Sequence, residues 1–144
     1  MIGRERIRRT LTVALDASQP PARTGIAFGV GVFIGCTPFF GFHSFIAAGA
    51  AALFRLNLLT VWLGTHISNP LLAGGLTLVS IGVGSYVLHE TPSTVGRFSA
   101  SWMVGSLIVG TVLGVTAGVL VTFAVRTIRA RRNAAMPALP ARSS

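Results

Sequence analysis

The sequence predicts an all-α integral membrane protein: a compact bundle of about four transmembrane or re-entrant helices with two Gly/Pro breaks. Three observations predict it. Only 10% of the 144 residues are charged, against 51% apolar. Soluble domains carry about 25% charged residues, so a bilayer has to solvate most of these apolar side chains. Next, residues 24–54, 56–89 and 98–125 contain no Asp, Glu, Lys or Arg. Each block exceeds the roughly 20 residues that cross a hydrocarbon core about 30 Å thick. Finally, arginines flank the blocks, with Arg4, Arg6, Arg8 and Arg9 before the first and Arg126, Arg129, Arg131 and Arg132 after the last. Basic flanks stay cytoplasmic, so both termini are expected in the cytoplasm and the number of crossings is expected to be even.

Residues 1–19 form a cytoplasmic amphipathic segment. Ile7, Leu11, Ala14 and Leu15 share one helical face over residues 4–18, with Arg6, Arg9 and Asp16 away from it. Such a helix either lies on an anionic membrane surface or caps the bundle. Pro20-Pro21 ends it, because a proline disfavours helical geometry in the residue before it.

Residues 20–89 form the membrane core. The first charge-free block is long for one span and is interrupted at Thr37-Pro38-Phe39-Phe40-Gly41, where Pro38 removes an intrahelical hydrogen bond and Gly41 adds backbone freedom. Helices are predicted over about 23–36 and 41–63. At 1.5 Å per residue the first is about 21 Å long, short of the hydrocarbon core, which suits a re-entrant turn. Four complete crossings and re-entrant hairpins both give an even count. A second break falls at Gly64-Thr65-His66-Ile67-Ser68-Asn69-Pro70, with a helix over about 70–88 beyond it.

Residues 90–132 hold a polar loop and a final glycine-rich helix, expected over about 98–128. Residues 133–144, rich in Ala, Pro, Arg and Ser, read as a disordered cytoplasmic tail. Gly110, Gly114 and Gly118 recur every four residues, as do Gly25 and Gly29, and Gly31 and Gly35. Small residues on one face let a second helix approach closely, either within the bundle or in a homodimer. Trp62, Tyr86 and Trp102 fall near predicted helix ends, where interfacial aromatics are expected.

Catalytic chemistry is not expected. The three acids, Glu5, Asp16 and Glu90, form no pair on a membrane helix, and none is placed to orient His43 or His66 beside Cys36, Ser44 or Ser68. His43, His66 and His89, with Cys36 or Glu90, match no metal spacing, so neither a metal nor a cofactor is expected. The net charge of +9 is all arginine and flanks apolar spans instead of striping a surface, which argues against nucleic acid.

The breaks carry the candidate binding residues: Thr37, Pro38, His43, Arg55, Asn57, His66, Asn69 and Pro70. Non-helical backbone at membrane depth must be buried in protein or line a watery cavity. Facing broken helices build the midplane sites of several transporters. The alternative is that these groups only repair the interrupted backbone.

The run Val32-Phe33-Ile34-Gly35-Cys36-Thr37-Pro38-Phe39-Phe40-Gly41-Phe42-His43, then Arg55-Leu56-Asn57, then Gly64-Thr65 and Ser68-Asn69-Pro70, resembles the DUF2062 family of bacterial membrane proteins over about residues 20–89. Members of that family occur fused to glycosyltransferases of the dolichol-phosphate mannosyltransferase type. The resemblance implies a place in the bacterial cytoplasmic (inner) membrane and work on the cell envelope. It carries no agreed catalytic residues. Two functions are expected: a small solute or lipid transporter-like protein with a polar site between two broken helices, or a non-catalytic scaffold or partner of an envelope enzyme such as a lipid-linked glycosyltransferase. The expected partners are the lipid bilayer and either a second copy or such an enzyme.

Overall fold

The computed structural model describes residues 19–39, 41–66, 70–89, 91 and 93–135, and all regular structure among them is helical. Five helices follow in order: α1 (Pro21–Cys36), α2 (His43–Leu53), α3 (Leu58–Thr65), α4 (Pro70–Leu88) and α5 (Val95–Ala135). The amphipathic segment expected over 4–18, with Ser68, Asn69 and residues 136–144, lies outside the described residues.

Local chemistry sets the boundaries. Pro21 occupies the first position of α1, where its missing N–H would have no partner anyway. Pro38 forces Thr37 into extended geometry, φ −80° and ψ 149°, and α1 stops. Gly41 takes φ +85° and re-aims the chain into α2.

The single helix expected over 41–63 is instead two. Leu53 ends α2, Arg55 turns left-handed at φ 51°, and the Asn57 side chain caps α3. Asparagine offers its side-chain oxygen to nearby amides and so favours a helix start over a helix interior. The last helix begins three residues before its expected start at 98 and runs seven past its expected end at 128. No proline occurs there before Pro137, and Arg and Ala are good helix formers. Residues 133–135, expected in a disordered tail, therefore continue α5.

Among the described residues one helix, Val95–Ala134, is long and apolar enough to cross a membrane. Pro21–Cys36, His43–Leu53 and the Gly74–Leu88 part of α4 are apolar but shorter. The all-helical class is as expected, whereas four helices of membrane length are not present among these residues.

α5 is the hub. α1 lies antiparallel on its C-terminal half, with Gly25 against Gly118 and Thr122, Gly29 against Gly114, and Cys36 with Phe33 against Gly110. A Cβ built on Gly29 would stand 2.5 Å from the Gly114 carbonyl oxygen. α4 lies antiparallel on the N-terminal part of α5, where a Cβ on Gly84 would overlap the Ser101 carbonyl and one on Gly105 the Ser80 carbonyl. On another side of α1, Gly31 meets Val61 and Gly64 of α3, and α2 packs on α3 and α1. Glycine or serine sits at the α1–α5, α4–α5 and α1–α3 crossings, because backbones in contact leave little room for a larger side chain.

The interior mixes small apolar residues, among them Ala27, Ala47, Ala51 and Val61, with small polar ones, and many large apolar side chains are exposed. Thr24, Thr37, Thr60, Thr65, Ser80, Ser101 and Ser106 are buried, while Phe45 is 76%, Leu53 77%, Leu78 73% and Phe123 61% exposed. Hydroxyls on exposed faces of α5 donate to their own helix: Ser99 to the Val95 carbonyl, Thr111 to Leu107, Thr116 to Val112 and Thr127 to Phe123, each at 2.6–2.9 Å.

Glycine substitutions separate crowded from open positions. Gly114→Leu should lower the thermal midpoint of the detergent-solubilised protein, at a cost of about 1–3 kcal/mol or more for overpacking. At Gly49 a Cβ meets nothing within 4 Å, so Gly49→Ala should leave the midpoint unchanged or raise stability by up to about 1 kcal/mol. Thermal melts followed by circular dichroism check both.

Candidate functional site

Among the described polar residues of the two breaks, Thr37, His43, Thr65 and His66 each bond the backbone of their own segment. At the first break Thr37 Oγ1 donates to the Ile34 carbonyl at 2.6 Å, and His43 Nε2 donates to the Thr37 carbonyl at 3.1 Å. A carbonyl only accepts, so this bond fixes the proton on Nε2. His43 thus reaches back from the start of α2 and ties the two sides of the break together. Pro38 between them is half-buried.

In the turn before α3 the Leu56 amide donates to the Ala51 carbonyl at 2.8 Å. Asn57 Oδ1 accepts from the amides of Leu59 and Thr60 at 3.0 and 3.2 Å. Those amides belong to the first turn of α3, which has no intrahelical acceptor for them. Arg55 is exposed beside this cap.

At the second break Thr65 Oγ1 donates to the Trp62 carbonyl at 2.6 Å. His66 Nδ1 donates to the same oxygen at 3.0 Å, with its ring 4.0 Å from the Trp62 ring between centroids. Trp62, expected near a helix end, sits mid-way along α3. Pro70 is the first residue of α4, and Asn69 lies outside the described residues. His89 Nδ1 donates to the Val87 carbonyl at 3.2 Å. The three histidines thus bond three separate carbonyls. Among the described residues no three His, Cys, Asp or Glu side chains group as metal ligands would.

A cavity of about 500 Å³ lies elsewhere, between α1 and α5. None of the polar break residues lines it. Gly25, Gly29, Gly114 and Gly118, the contact residues of the two helices, lie along it, and Ile26, Val30, Phe33, Val115, Val119 and Phe123 border it. Thr122 on its wall turns its hydroxyl to the Gly118 carbonyl at 2.8 Å, as Thr111 does to Leu107, so the lining presents almost no polar surface. Arg126 supplies its single charged lining residue. In the antiparallel pair Arg126 shares an end with Ala22, near the start of α1. One turn further on, Arg129 Nη1 donates to the Gln19 carbonyl at 2.7 Å. Sequence reasoning missed this groove. Its signal was the apolar row at four-residue spacing beside each glycine row, Ile26 and Val30 on α1, and Val115, Val119 and Phe123 on α5.

A family model described as "Uncharacterized protein conserved in bacteria (DUF2062)" matches residues 5–134. The chain belongs to the DUF2062 family. The match extends well past the 20–89 expected from the break motifs and takes in nearly all of α5. No curated protein and no solved structure matches the chain.

The turn before α3 gives a two-sided test. Asn57→Ala should destabilise the protein by about 0.5–2 kcal/mol through loss of the cap, with Asn57→Asp retaining most of it. Arg55→Gly should stabilise it by up to about 1 kcal/mol, because glycine tolerates the positive φ that strains arginine. Chemical or thermal denaturation in detergent reads both signs.

Proposed function

We propose that this DUF2062 protein is a multi-pass protein of the bacterial inner membrane, both ends cytoplasmic, that serves as a non-catalytic scaffold for a cell-envelope enzyme. The outward-facing apolar surface carries the membrane part. Threonines and serines share the interior with small apolar residues such as Ala27, Ala47 and Val61, while many large apolar side chains face outward, more than a water-soluble domain would leave exposed. Only 17% of the most apolar stretch of α5 is buried in the fold, unlike the core helix of a soluble protein. Two further features support the topology. α1 runs antiparallel to α3 and to α5, and α4 antiparallel to α5, the alternation that four passes require. The Arg129–Gln19 bond holds the start of α1 beside the arginine-rich end of α5, and basic ends remain cytoplasmic.

The scaffold part rests on chemistry and on resemblance. Thr37, His43, Asn57 and His66 are engaged with backbone, which favours structural breaks over a solute site. The fusion of family members to glycosyltransferases supports an envelope enzyme as the partner. Membranes lacking this protein should transfer sugar to lipid carriers more slowly, with the rate restored by expressing the chain in trans. Unchanged transfer would sink the scaffold reading.

Cys36 tests the breaks directly. It packs beside Gly110 at the end of α1. In sealed vesicles a small water-borne thiol reagent should leave it unmodified, while denatured protein reacts. Rapid labelling in the intact membrane would place water in the break and return weight to a transporter.

A further inference from the structure

The groove between α1 and α5 combines three features. Its walls are apolar along roughly 22 Å, taking 1.5 Å per residue from Thr111 to Arg126. That is close to the reach of one extended long acyl chain. Its floor is glycine, so a thin flexible chain can lie against backbone there. Charge gathers at one end only. Arg126 stands at the mouth, and the N-terminus of α1, the positive end of its dipole, opens at the same end. Among the described residues no side chain caps that N-terminus, and its first turn holds no acid.

No Asp or Glu occurs among the described residues, so none of them can pair with the Arg126 guanidinium. A phosphate can, through charge-assisted hydrogen bonds. Basic pockets between membrane helices on the cytoplasmic side suit anionic lipid headgroups. The amphipathic segment 1–18 is a poorer occupant, because its four arginines, Arg4, Arg6, Arg8 and Arg9, outnumber its two acids, Glu5 and Asp16, and its net positive charge would meet Arg126 and Arg129 with like sign. A second copy would bring the same arginines.

We infer that the α1–α5 groove is a binding site for one anionic phospholipid, with an acyl chain along the glycine floor and the headgroup phosphate on Arg126. This rests on the membrane reading above. The lipid would complete the α1–α5 interface on its outer side and fix the arginine-rich end at the anionic leaflet.

The full chain, purified in mild detergent, would be examined by native mass spectrometry with phosphatidylglycerol and phosphatidylcholine of identical acyl chains. One phosphatidylglycerol should be retained per chain, at least about tenfold in preference to phosphatidylcholine. Arg126→Gln should reduce that retention about tenfold, Arg126→Lys less. Val119→Trp, which fills the groove from its wall, should abolish it. Arg131→Gln, a neighbouring arginine that does not line the groove, should leave it unchanged.

Equal retention of the two lipids would overturn the site. So would equal loss in Arg131→Gln, which would mean diffuse surface charge, or wild-type retention by Val119→Trp. A lipid-free dimer, or retention that appears only after residues 1–18 are removed, would give the groove to protein and likewise overturn it. An alkaline carbonate wash separates the two claims. A chain that washes off membranes defeats the membrane reading and the lipid site together. A chain that stays embedded without preferring phosphatidylglycerol defeats the lipid site alone.

Discussion

The backbone of α1 touches the backbone of α5, and the rest of the fold depends on that contact. Gly25 and Gly29 on one helix, and Gly114 and Gly118 on the other, present no Cβ at their own positions, which lets backbone meet backbone there. Apolar side chains gain nothing by leaving lipid for one another, so helices in a bilayer associate through close van der Waals packing. On the membrane reading proposed above, that requirement explains why the same solution recurs. Ser80 and Gly84 meet Ser101 and Gly105 between α4 and α5, and Gly31 meets Gly64 between α1 and α3. With α1 and α4 both seated on α5, the shorter α2 and α3 need only α1 for support.

The second constraint is the obligation to satisfy backbone polar groups wherever the helices stop. Three interruptions between residues 36 and 70 release amides and carbonyls, and each is answered locally. Thr37 and His43 answer the first, Asn57 the second, and Thr65 with His66 the third. These residues look like a polar site when read along the chain, because backbone repair and ligand binding draw on the same side chains. The bond each one makes within its own segment distinguishes the two uses. The polar demand of these described break residues is thus met locally, whereas Gln19 Oε1, Ser85 Oγ and Ser101 Oγ are buried without a hydrogen-bond partner, and large side chains such as Phe45 and Leu78 are left to the surroundings.

Much of this was legible in the sequence. The helical class followed from the charge-free blocks, and the breaks at Pro38 and before Pro70 followed from proline itself. The spacing of Gly110, Gly114 and Gly118 marked the contact face of α5, although it left open whether the neighbour was α1 or a second copy. Two features were not legible. The turn at Arg55 has neither proline nor glycine, and its left-handed residue is imposed by the fold around it, so only Asn57 hinted at a helix start. The groove was hidden because its two walls are 78 or more residues apart in sequence, from Phe33 to Thr111, and hydropathy along one helix does not report what lies beside it.

Cys36 offers the most direct test of the α1–α5 contact. A Cβ built on Gly110 stands 3.2 Å from the Cβ of Cys36, a few tenths of an ångström short of the roughly 3.5–4.5 Å that a disulfide spans, so a small outward shift of one helix brings the pair into range. Gly110→Cys, oxidised mildly in native membranes, should therefore join the introduced thiol to Cys36 within one chain. The product would migrate as a monomer with no free thiol. Disulfide-linked dimers, or two thiols that stay free, would contradict the antiparallel seating of α1 on α5.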